Sequence, residues 1–212
     1  MTLLVNRSPR LFSIEEYYRL AEMGIIREGE RVELIEGEIV PMCPHDPKHS
    51  EALAWCNNLF SQHFGSTHLV RVQLPLRVGT NSEPEPDLGL IEKYKTSGRE
   101  HHPTTLDFVL EVSNTLRHLG PEVCEANAGV FSQENSTSLA YDRCEKLKLY
   151  ARAGIPEYWI VNVRDNRVEV YRDPQSDRYG DSFERGPGEM LDLLHWPGPQ
   201  LAVSTLLGLP TQ

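Results

Sequence analysis

The chain has 212 residues, 39% hydrophobic and 25% charged, which suits one well-packed soluble globular domain. Its formal net charge of −10, from 31 acidic and 21 basic residues, argues against a protein that coats nucleic acid non-specifically, though not against an enzyme whose acidic site is offset by a divalent cation. No apolar run reaches the roughly 18 residues of a membrane span, and MTLLVNRSPRLF lacks a signal peptide's apolar core, so a cytoplasmic location is expected.

Ser13-Ile14-Glu15-Glu16 has capping-box spacing, so a helix is expected from Ile14 through Tyr17, Leu20 and Ala21, ending at Gly24. RVELIEGEIVPM alternates about Glu36-Gly37 and predicts a β-hairpin. Asp46-Pro47 opens a second helix, with Leu53, Cys56, Leu59, Phe60 and Phe64 as its apolar face and Gly65 at its end. Within it His49 is a candidate cap. Val70, Val72, Leu74, Leu76 and Val78 alternate as one long strand, and EPEPDLGLIE and DFVLEVS supply two more. LAYDRCEKLKLYARAG predicts a third helix, stopped by Gly154 and Pro156. YWIVNV and RVEVYRD read as a final strand pair, and the stretch rich in Gly and Pro from Gly186 to Pro199 as a loosely packed end with a short strand or helix. Leu116 to Thr137 has neither period and reads as an inserted loop in a single domain spanning residues 1–212.

Two carboxylates sit where strands usually have none: Asp87 at the start of its strand and Glu111 inside Phe108, Val109, Leu110 and Val112. Strand alternation puts Asp87, Gly89 and Ile91 on one face, and Val109, Glu111 and Ser113 on one face of the next strand. Paired, the strands would bring both carboxylates to one edge, where they repel unless a cation intervenes, and such oxygen ligands suit Mg²⁺ or Mn²⁺. On the third helix Asp142, Lys146 and Tyr150 recur every four residues, while Cys144, Leu147 and Ala151 form another stripe. Taken alone, Asp142 and Lys146 also fit a surface ion pair, and Glu33 and Glu38 the wet face of the hairpin. Cys43, His45 and His49 are close enough to raise zinc, but no second ligand pair of the usual spacing accompanies them, so zinc is not expected.

VELIEGEIVPM, PKHSEAL, PEPDLGLIE, LEVSNT and SLAYDRCEKLKLYARAGIPEYWIVN, in that order, resemble the PD-(D/E)XK nuclease superfamily, and within it the Uma-two (Uma2) domain family of restriction endonucleases. The resemblance runs from about Leu11 to Pro174. It implies an α/β (α+β) fold, a restriction-endonuclease-like mixed central sheet flanked by helices, with an N-terminal helix and β-hairpin. It also implies Asp87 and Glu111 as metal ligands. Serine stands at position 113, where the wider superfamily has lysine, and Lys146 matches the position to which this branch displaces it. Glu33 matches a further acidic position. The family sequence runs from SNT almost directly to SLAYDR, so Leu116 to Thr137 is an insertion.

The expectation is therefore a Mg²⁺-dependent endonuclease acting on DNA, a homodimer suited to cutting both strands. Asp87, Glu111 and the Val112 carbonyl would hold the Mg²⁺ (or Mn²⁺). Lys146 would stabilise developing charge, Glu33 would bind metal or position water, and Ser113, Asp142 and Tyr150 would support them. The competing expectations are a non-catalytic interaction module that keeps the nuclease fold, and a hydrolase of another phosphate ester.

Overall fold

The computed structural model describes residues 9–42, 44–95, 100–114 and 138–210. The expected insertion at 116–137 and Cys43 lie outside them. Helix α1 (Ile14–Glu22) opens on the expected capping box: Ser13 Oγ accepts from the Glu16 amide at 3.2 Å, and the Ser13 amide donates back to Glu16 Oε2 at 3.1 Å. Strands β1 (Val32–Ile35) and β2 (Glu38–Pro41) form the expected hairpin. Glu36 and Gly37 both take left-handed backbone, φ 52° and 84°, as a type I′ turn requires. A Cβ on Gly37 would lie 2.7 Å from that of Leu11, so glycine is required twice over.

Helix α2 (Pro47–Phe64) starts at Asp46, whose carboxylate accepts from the amides of Lys48 and His49. Asp46 is thus the cap, and His49 is capped rather than capping. The main sheet has six strands: β3 (His68–Val72), β4 (Leu88–Glu92), β5 (Phe108–Ser113), β6 (Glu157–Asn162), β7 (Arg167–Gln175) and β8 (Arg178–Arg185), adjacent in chain order. Only β5 and β6 run parallel. The crossover between them carries α3 (Ser138–Tyr141), a π-helical turn (Asp142–Lys146) and α4 (Leu147–Arg152).

Alternation along the strands makes two cores. Leu88, Leu90, Phe108, Leu110, Trp159 and Val161 face α2. Ile91, Val109, Tyr158 and Ile160 face Leu139 and Tyr150 on the other side. Mixed sheet, flanking helices, N-terminal helix and hairpin are all as expected.

Three elements differ from the sequence reading. The strand expected over Val70–Val78 ends at Val72, because Gln73 turns left-handed (φ 50°) and its amide bonds to the carbonyls of Pro86 and Asp87. Strand β8 was not expected. Its residues are mostly exposed, as suits an edge strand, so RYGDSFER has little apolar alternation to read. The segment after Gly186 is not loosely packed: β9 (Met190–Leu193) pairs with β10 (Trp196–Ala202), and α5 (Val203–Leu206) follows. Leu191, Leu193, Leu201, Val203 and Leu206 join the core on the α2 face.

Candidate metal centre and its lysine

Asp87 precedes the first residue of β4, and the pairing of Leu88 with Leu110 brings it level with Glu111. The Asp87 amide donates to Glu111 Oε2 at 3.2 Å, and Asp87 Oδ2 accepts the Val112 amide at 2.9 Å. The expectation for Val112 concerned its carbonyl; the contact observed is its amide. The sheet thus explains Asp87: an aspartate at a strand start replaces a missing ladder partner.

Glu111 Oε1 accepts from Lys146 Nζ at 3.0 Å and from the Tyr150 hydroxyl at 2.7 Å. Lys146 Nζ is also 3.5 Å from Glu33 Oε2, which accepts the Glu85 amide at 3.2 Å. The Ser113 hydroxyl donates to Asp142 Oδ2, and the Tyr158 hydroxyl to the Asp142 carbonyl. Glu33, Asp87, Glu111, Ser113, Asp142, Lys146 and Tyr150 are all buried. Asp142 and Lys146 are therefore not a surface pair, and Glu33 is not on a wet face. Lys148 points out of the cluster, with its side chain 45% exposed.

The π-helical turn adds what the α-helical stripe did not foresee. In an α-helix Asp142 and Cys144 point about 200° apart, yet both are buried here together with Lys146. Such wide turns recur at functional sites.

The electrostatics follow from burial. Burial raises the Glu111 and Asp142 carboxyls above the ordinary range, and neighbouring carboxylates reinforce this while Lys146 opposes it. Burial works against the Lys146 ammonium, but Glu111, Glu33, Asp142 and Asp87 more than offset it and hold it protonated. Asp87 differs: burial would raise it, yet the His49 imidazole, the Val112 amide and Lys146 bring it down to about 2. The cluster therefore holds a firmly ionised carboxylate beside others that burial and mutual repulsion drive towards protonation. A site with this excess of negative groups suits a cation.

Two imidazoles meet Asp87 from its other side. His49 Nε2 lies 3.4 Å from Asp87 Oδ1, and His45 stacks on His49 with centroids 4.1 Å apart. Gln73 Nε2 lies 3.1 Å from both Asp87 Oδ1 and His45 Nε2. Asn114, just past β5, donates to both carboxylate oxygens of Asp46 at 2.8 Å and ties the start of α2 to the end of the strand. The sequence raises His45 for zinc and His49 for zinc or as a helix cap, and does not single out Gln73. The signal present is the i,i+4 spacing of the two histidines in HDPKH, which runs into the first turn of α2; no local pattern reveals a glutamine that reaches Asp87 from a turned backbone.

In a search of solved structures, the chain matches a crystal structure titled as a "putative nuclease belonging to DUF820" from Anabaena variabilis, with a TM-score of 0.66 over 92% of this chain and 97% of that one, at 15% identity. At that identity the likeness concerns the fold. No curated protein matches. The family model Uma2, described as "Putative restriction endonuclease", matches residues 14–116 and 135–204 and passes over a stretch within the expected insertion. The match takes in both strands of the carboxylate pair and the helix that carries Lys146, and the chain belongs to the Uma2 family.

Proposed function

We propose that the protein is a divalent-metal-dependent endonuclease that hydrolyses phosphodiester bonds in DNA. The observation that carries this reading is the buried convergence of Asp87, Glu111 and Lys146 at the junction of β4, β5 and the crossover helix. The nuclease family and the fold of the structural neighbour support it. Asp87 and Glu111, with the Val112 carbonyl, would hold Mg²⁺ or Mn²⁺. Bound there, the ion would supply a polarised phosphoryl oxygen and a more acidic water.

The chain's own residues do the rest. Glu33 and Glu111 fix the Lys146 ammonium from two sides, where it stabilises the negative charge that builds on the phosphorus oxygens. Tyr150 holds Glu111 in place, and Ser113 and Asp142 lock the helix to β5. A homodimer would let two such sites address both strands.

A plasmid-nicking assay with Mg²⁺, Mn²⁺ or EDTA, run beside Asp87→Ala, tests this. Nicking that needs the ion and is lost in Asp87→Ala is the expected result. No nicking with either ion, by protein that is folded, favours the interaction-module reading, to which the net charge of −10 also points.

A further inference from the structure

The proposed function leaves open which ion the site selects, and the side chains around Asp87 bear on that choice. We propose that His45 and His49 join Asp87 as ligands, making a nitrogen-containing centre that takes a first-row transition-metal ion in preference to Mg²⁺. The inference rests on the proposed function only for what the ion is used for. Its binding can be tested alone.

The ligand atoms of His45, His49 and Asp87 all lie within 4.8 Å of one another. Ligands about 2.1 Å from one ion lie closer together than that, so binding would draw the three side chains inward. The second observation concerns His49 Nε2. It is shielded from solvent, and among the described residues it faces Asp87 Oδ1 at 3.4 Å without completing a hydrogen bond. Such a nitrogen in a buried site costs stability unless something satisfies it, and an ion shared with Asp87 would do so.

The surroundings hold this arrangement. Asp46 fixes the backbone of His49 by accepting its amide, and Asn114 anchors Asp46 to the end of β5. The two imidazole planes are only 19° apart. Gln73, with its left-handed backbone, reaches both His45 and Asp87. A non-glycine residue held at such a φ is a form of local strain that concentrates at functional sites.

The donor set decides the ion class. Mg²⁺ takes oxygen ligands in a strict octahedron and keeps several waters. Imidazole nitrogen favours the first-row transition ions, with affinity rising from Mn²⁺ towards Cu²⁺.

The test uses the full chain, stripped of metal and titrated with Mn²⁺ and separately with Mg²⁺ by calorimetry, with pulsed electron paramagnetic resonance on the Mn²⁺ form. The expected result is ¹⁴N coupling from imidazole and tighter binding of Mn²⁺ than of Mg²⁺. His49→Gln and His45→Gln should each weaken Mn²⁺ binding at least about tenfold, since even partners behind a metal ligand count for that much. Mn²⁺ bound without nitrogen coupling overturns the proposal. So does an absence of Mn²⁺ binding, which would leave His49 a neighbour of Asp87 and not a ligand. Should either variant fail to fold, the wild-type spectrum decides alone. Nicking with Mg²⁺ and no nitrogen coupling refutes this inference and leaves the nuclease. Nitrogen-coupled Mn²⁺ in a protein that nicks nothing does the reverse.

Discussion

Lys146 and Lys148 are two residues apart and have opposite surroundings. Lys146 lies buried between Glu111 and Glu33, whereas Lys148, among the described residues, reaches only Glu145, at 4.0 Å. In the nicking assay Lys146→Ala should lose activity, while Lys148→Ala should keep it. Lys146→Arg should rescue poorly, because a planar guanidinium does not replace a compact ammonium. Lys146→Ala also strands buried carboxylates, a loss of about 3–5 kcal/mol for a broken buried pair. Adding Glu111→Gln should recover part of that stability and none of the activity; a double variant no more stable than Lys146→Ala would show that the pair is not coupled. His68 gives a residue-level prediction away from the site. It is buried edge-on to Trp196, with ring centroids 4.5 Å apart and Nε2 lacking a hydrogen-bond partner among the described residues. Burial holds its pKa below the usual 6.5, and the Asp107 and Glu92 carboxylates do not overcome this. As pH falls through 6.5 the unfolded chain takes up the proton first. The stability His68 contributes is therefore present above that pH and lost below it. Melting temperature measured from about pH 7.5 down to about 5.5 should fall less in His68→Phe than in the wild type; parallel curves would sink the assignment.

At the scale of elements, α2 shows how a cap carries a site. Asp46 receives the amides of Lys48 and His49 and the side-chain amide of Asn114, so one carboxylate orders the helix start and joins it to β5. Asp46→Ala should cost about 0.5–2 kcal/mol, a fall in melting temperature of roughly 1–8 °C for a chain this long. Asp46→Ser, which keeps a capping oxygen, should lose less, and equal losses would mean that the Asn114 bond dominates. The cap, hairpin and helix ends were legible because each rests on local chemistry: Ser13 with Glu16, Glu36-Gly37, Asp46-Pro47, Gly154 before Pro156. The end of β3 at Val72 was not, since Leu74, Leu76 and Val78 continue the alternation. Only the distant carbonyls of Pro86 and Asp87 make the turn at Gln73 favourable. The π-helical turn escaped for a similar reason. Nothing in DRCEK marks it, and the residues it buries meet partners on β1 and β5.

For the whole molecule, the convergence of Asp87 and Glu111 from two paired strands could be read from PEPDLGLIE and LEVSNT, because strand period and family pattern agree there. The C-terminal segment could not. Its Gly and Pro content from Gly186 to Pro199 signals turns, and the apolar residues between them, Met190, Leu191, Leu193, Leu194 and Trp196, do not alternate as a strand's would. Tertiary packing supplies what local pattern lacks. Strands β9 and β10 and helix α5 cover α2, the Cys56 thiol donates to the Leu206 carbonyl at 3.4 Å, and Leu201, Val203 and Leu206 are fully buried. The helix that presents His49 at its first turn is thus packed, around Ala52 and Cys56, against the C-terminal segment. Leu206→Ala should cost about 2–5 kcal/mol as a core truncation, a fall of roughly 4–20 °C in melting temperature. The exposed Leu194→Ala should stay within about 0.5 kcal/mol of the wild type. Thermal unfolding followed by circular dichroism distinguishes the two, and a Leu206→Ala protein as stable as Leu194→Ala would restore the loosely packed end that the sequence suggested.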